Sequence, residues 1–149
     1  MKLTIKQISW ASLIMSLLGL ADSIYLTIAH YTTPAILACP ATKFINCEKV
    51  TSSSYSMVFG VPITFFGIAF FVLLTVLSLP KFWLTTASFI KKLRILSVTL
   101  GMVGVFYLVY VELYKINSIC LYCTGVHILT FLLFVITIYA HYQIAESTD

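Results

Sequence analysis

Four long apolar runs divide the chain: Gln7 to Ala29, Val58 to Leu79, Ile95 to Val111 and Ile119 to Tyr142, each closed off by charged or polar residues. A helix rising about 1.5 Å per residue crosses a hydrocarbon core of about 30 Å in roughly 20 residues, so each run predicts a membrane span. The third run is the shortest between its flanking charges, Arg94 and Glu112. It extends to about 95–114 if Arg94 and Lys115 snorkel and Glu112 turns into the bundle. The polar stretch from Thr51 to Ser56 predicts a short interfacial cover between the first and second spans. The expected fold is an all-α membrane protein. It is a four-transmembrane-helix bundle over 1–149, with an extracytoplasmic loop and a short interfacial helix between helices 1 and 2. The first run is too long for a removed signal peptide and lacks a small-residue cleavage site.

Composition sharpens this picture. With 60% hydrophobic and 9% charged residues among 149, the chain carries far more apolar surface than a water-facing core of this size can hide. A lipid bilayer is the solvent that suits it. The formal charge of +4 comes with no basic patch interleaved with aromatics outside the apolar runs, so no nucleic-acid partner is expected. The cations speak to orientation instead. Lys2, Lys6, Lys81, Lys91, Lys92 and Arg94 fall on one side of the spans, and Lys43, Lys49 and Lys115 on the other. The positive-inside rule makes the richer side cytoplasmic, which predicts a multi-pass plasma (inner) membrane protein with both termini inside.

All four cysteines then face the extracytoplasmic side, where thiols can be oxidised and stay so. They form two units: Cys39 and Cys47 in one loop, and Cys120 and Cys123 across a Cys-Leu-Tyr-Cys turn. Asn117 or Ser118 is a candidate N-cap for the last helix, which places Cys120 in its first turn. Unpaired N–H groups and the helix dipole favour a thiolate there, and residues three apart share a face. Thiol–disulfide exchange needs a mobile thiolate approaching a disulfide in line, a role that a loop pair and a rigid helix pair divide between them. Two blander readings compete: buried cysteine as a small hydrophobe, and a four-thiolate zinc site, for which the 39/47 spacing is loose. No metal is expected.

The order of these features resembles the vitamin K epoxide reductase family, particularly its prokaryotic members. The likeness runs from Gly19-Leu-Ala-Asp-Ser-Ile-Tyr-Leu through Cys47-Glu-Lys-Val, Phe59-Gly-Val-Pro and Val111-Glu-Leu to Ile119-Cys-Leu-Tyr-Cys-Thr and His127. It implies a quinone-dependent, disulfide-forming oxidoreductase. A reduced extracytoplasmic thioredoxin-fold thiol oxidase is reoxidised at Cys39–Cys47, and electrons pass by exchange to Cys120–Cys123. From there they reach the membrane quinone pool, with ubiquinone or menaquinone as acceptor. By position, Cys39 resembles the partner-facing thiol, Cys47 the shuttle that attacks Cys120, and Cys123 the thiolate beside the quinone. Ser53, six residues after Cys47, matches a serine position of the family pattern.

His127 lies four residues after Cys123, on one helix face with both cysteines, and can hydrogen-bond a quinone oxygen. Animal members of the family resemble a pattern with Tyr there, so His favours a quinone over vitamin K epoxide as substrate. Phe65 and Phe66 are candidate quinone-lining residues. Asp22 lies deep in the first span and reads as a protonated or hydrogen-bonded group. Glu112 gets no catalytic role, since Lys115 at i+3 suffices as its partner. The rival of another class is a metal-handling or small-solute transporter using Cys, His and Asp ligands. A nearer rival is the other four-helix quinone-linked disulfide catalyst of bacteria, whose Cys-X-X-Cys sits in the first outer loop rather than the second.

Overall fold

The computed structural model describes residues 4–32, 38–85 and 87–146. Helix α1 (Ile5–Tyr31) opens on a capping box: the Thr4 hydroxyl accepts the Gln7 N–H at 3.3 Å, and the Gln7 carboxamide oxygen accepts the Thr4 N–H at 2.9 Å. Its buried face is a run of small residues, Ser9, Ser12, Ser16, Gly19 and Ser23. Small side chains let helices approach closely in lipid, where apolar burial gives no drive for one helix to leave the tails for another. Helix α3 (Ile63–Ser78) uses this face: a Cβ on Gly19 would run into the Phe71 ring, and Ser23 lies against Gly67. The outward face of α1 exposes Ile14, Leu17, Leu18, Ile24 and Ile28.

Among the described residues three helices are long and apolar enough to cross a membrane, Ile5–Tyr31, Ser88–Ile116 and Leu121–Gln143, while the apolar α3 is shorter. The molecule is thus an all-α bundle of three membrane-length helices and one shorter helix, joined at one end by a compact loop region. Helix α2 (Cys47–Thr51) and a 3-10 turn (Ser54–Ser56) make up that loop's regular structure, in the region where a short cover was expected.

The second apolar run departs from expectation at its start. Instead of becoming helical at Val58, strand β1 (Met57–Val58) pairs antiparallel with β2 (Val61–Pro62), and α3 begins only at Ile63. The turn between the strands holds Phe59 at φ 52° and Gly60 at φ 79°, the pair of left-handed conformations that a two-residue hairpin demands. Pro62 then caps α3, where its missing N–H costs nothing. At the far end Leu79 turns extended before Pro80, which ends α3 and opens the short α4 (Pro80–Trp83).

The third run also differs. Helix α5 (Ser88–Tyr110) takes Lys91, Lys92 and Arg94 into its first turns and continues as a π-helical turn (Val111–Ile116), giving an unbroken stretch of 29 residues. Arg94 does not snorkel; it is 6% exposed. Its guanidinium donates to the carbonyls of Leu77 at 2.9 Å and Phe82 at 3.0 Å, and stacks 3.8 Å from the centre of the Trp83 ring. Those bonds satisfy one carbonyl in the last turn of α3 and one in α4, and so clamp α4 under the bundle. Trp83 packs there with Ile8 and Ala140, the last belonging to helix α6 (Leu121–Glu146). A middle layer of Phe71, Leu74, Val98 and Leu133 joins α3, α5 and α6.

Candidate active site

Two backbone segments meet at the loop end and bring the cysteines together. Ile45 and Ile119 form a parallel bridge, with the Ile119 N–H donating to the Phe44 carbonyl at 2.8 Å and the Asn46 N–H to the Ile119 carbonyl at 3.1 Å. Cys47 and Cys120 come next after these bonded residues, each at a helix N-terminus. Both are buried, at 1% and 0% exposed, in one cluster with Leu26, Ala29, Val50, Val111 and Ile116. Cys39 and Cys123, half-buried, pack against the same cluster. Cys39 and Cys47 are joined as a disulfide with Cα atoms 6.0 Å apart, whereas Cys120 and Cys123 are free thiols.

The start of α6 corrects the expected cap. Asn117 stands in the left-handed region at φ 53° and ends the preceding π turn, and the Ser118 hydroxyl donates to the Asn117 carbonyl at 2.8 Å. Cys120 itself occupies the capping place: its carbonyl accepts the Thr124 N–H at 2.9 Å and its Sγ accepts the Cys123 N–H at 3.3 Å. It lies just before the apolar span that begins at Leu121. The hydrogen bond from the Cys123 thiol holds the Cys120 thiol below its ordinary range, with help from the backbone N–H groups of Cys123 and Tyr122 and against the effect of burial.

Glu112 was not legible as part of this site. It is 5% exposed and faces the cysteines rather than Lys115, which is exposed. Its carboxylate lies beside the Cys120 backbone N–H and the Cys123 thiol. The expected pairing at i+3 assumed α-helical phase, and Glu112 instead lies in the wider π turn. Asp22 faces α6, its Oδ2 3.1 Å from where a Cβ on Gly125 would stand.

Below the cysteines lies a cavity of about 600 Å³ among α1, α3, α5 and α6. Its wall is largely apolar, with Leu26, Phe66, Phe70 and Leu108, while Cys123 and His127 both border it. His127 is 7% exposed. A second, water-sized cavity of about 60 Å³ adjoins it, bordered by His30, Ser53, Glu112, Cys123 and His127. Of the expected lining residues, Phe66 borders the large cavity and Ser53 the small one, where the Ser53 hydroxyl donates to the Val50 carbonyl at 2.9 Å. Phe65 borders neither; it is exposed and meets the Tyr31 ring with centroids 6.2 Å apart. The His30 ring shares a hydrogen bond of 3.0 Å with the Thr51 carbonyl, tying the end of α1 to α2. Among the described residues no three or more His, Cys, Asp or Glu side chains gather as a metal-binding set.

A disulfide and a dithiol packed in one cluster at the mouth of an apolar helix bundle define a membrane protein of thiol–disulfide redox chemistry. A match described as "Vitamin K epoxide reductase family" covers residues 10–138, and the chain belongs to that family. No curated protein matches it.

Proposed function

We propose that this protein is a quinone-dependent thiol oxidase of the extracytoplasmic face, recharging a thioredoxin-fold partner. The observation that carries the reading is the cavity: Cys123, hydrogen-bonded to Cys120, stands on the wall of an apolar space large enough for a ring and the head of an isoprenoid tail. A bound quinone supplies a two-electron, two-proton acceptor. His127 is placed to hydrogen-bond one of its oxygens, and Phe66 and Phe70 offer ring faces.

The residues divide the work in sequence. Cys39, half-buried in the loop, takes the partner's thiolate in exchange. That attack breaks the Cys39–Cys47 bond and frees Cys47, which attacks Cys120 of an oxidised Cys120–Cys123 pair and releases Cys123 as thiolate. The partner's second thiolate resolves its mixed disulfide and frees Cys39, which then closes on Cys47, expels Cys120 and leaves two electrons on Cys120 and Cys123. The arrangement seen, with Cys39–Cys47 joined and Cys120 and Cys123 free, corresponds to the protein loaded for delivery to the quinone.

Helix α3, at 16 residues about 24 Å long, is read as the fourth crossing, lengthened at the outer interface by the 57–62 hairpin. Lys6, Lys81, Lys91 and Lys92 at the end away from the cysteines support a cytoplasmic placement of both termini; Lys2 lies outside the described residues. The test is dithiol-driven reduction of a short-chain quinone by the purified protein. Turnover is expected, falling to background in Cys120→Ser and Cys123→Ser. Turnover that persists in the double variant would sink the reading.

A further inference from the structure

We propose that Glu112 is the proton acceptor for Cys123, taking up the thiol proton when the Cys120–Cys123 pair is oxidised. This rests on the redox reading above. The carboxylate is 5% exposed, and among the described residues no lysine or arginine is turned toward it. Its described partners are the Cys120 backbone N–H and the Cys123 thiol. A buried carboxylate that shares a water-sized cavity with a thiol is a proton acceptor in place, next to the atom whose deprotonation the chemistry needs.

The surroundings give the proton somewhere to go. The small cavity borders Glu112, Cys123 and His127 together, and His127 also borders the large one. The other titratable groups on the small cavity are His30 from α1 and Tyr55 from the loop cover. Lys115, on the same π turn, faces away into solvent.

The S–H bond of Cys123 breaks and an O–H bond forms on Glu112. The Cys120 proton follows along the thiol–thiol hydrogen bond. A Cys120–Cys123 S–S bond forms as two electrons leave for the quinone. The two thiol protons, one by way of Glu112, match the two that hydroquinone formation consumes. Once the disulfide has formed, Cys123 has no proton to take back, and Glu112 keeps the one it accepted until it passes on.

The test needs no quinone. Infrared difference spectra of the full-length protein in detergent, fully reduced against oxidised by ferricyanide, are expected to show a protonated-carboxyl band gained on oxidation. The band should shift in D2O, disappear in Glu112→Gln and remain in Asp22→Asn. Absence of the band in the unaltered protein, or its survival in Glu112→Gln, overturns the proposal; loss in Asp22→Asn alone assigns the proton to Asp22 and overturns it equally. In turnover, Glu112→Gln is expected to lower kcat by at least about tenfold with little change in KM for quinone, and Glu112→Asp to recover part of it. An unaltered protein that reduces no quinone while showing the carboxyl band would refute the quinone reading and leave the proton acceptor standing.

Discussion

The two ends of the bundle are built on opposite rules. At the end carrying α4 a buried cation is held in place: Arg94 Nη2 donates to the Leu77 and Phe82 carbonyls and the guanidinium lies on Trp83, with ordinary helix and turn among the described backbone. At the cysteine end regular structure gives way to a π turn, a left-handed Asn117, a two-residue hairpin and a short parallel bridge. Two of these irregularities bear on the cysteines: the bridge brings Cys47 and Cys120 into one cluster, and the π turn buries Glu112 beside Cys123. Under the proposed function, the irregular backbone gathers where the chemistry is done.

Breaking that division at the reactive end should give the largest effect. Cys120→Ser with Cys123→Ser is expected to abolish dithiol-driven quinone reduction, while Cys39→Ser loses the protein partner yet still accepts a small dithiol; stopped reactions with each donor check both. A change in the shared middle comes next. Phe71 is fully buried against Gly19, so Phe71→Ala should cost about 3 kcal/mol or more, read as the shift in unfolding of the detergent-solubilised protein. At the locked end, Arg94→Met removes two charge-assisted hydrogen bonds and should cost about 2 kcal/mol. It should leave KM for quinone unchanged. The smallest contrast is between neighbours on α3: Phe66→Ala is expected to raise KM for quinone a few-fold, and Phe65→Ala to leave it unchanged, because Phe66 borders the cavity and Phe65 does not.

Much of this architecture was legible because hydrophobic run length and the pairing of cysteines are strong, local signals. The four apolar runs each hold one of the bundle's long helices, three of membrane length and one shorter, and Cys39, Cys47, Cys120 and Cys123 stood out by spacing. What escaped was whatever depends on phase or on tertiary partners. Glu112 looked like half of an i, i+3 surface pair because a π turn leaves no plain mark in composition, and its true partners lie across a chain reversal. Arg94 looked like the end of a span, since nothing local tells that Trp83 and two orphan carbonyls wait beside it. Phe59-Gly60 was the one irregularity with a readable cue, a glycine followed closely by a proline at the start of an apolar run. Phe65 and Phe66, adjacent on one helix, could be separated only by seeing which faces the cavity.

The central claim is that electrons pass between the two pairs through Cys47 and Cys120. The direct measurement is air oxidation of a Cys39→Ser/Cys123→Ser variant, followed by mass mapping of its single possible disulfide, beside a Cys47→Ser/Cys123→Ser control. The account predicts a Cys47–Cys120 bond in most molecules of the first and free thiols in the control. Free thiols in the first variant, with the fold intact, would contradict it.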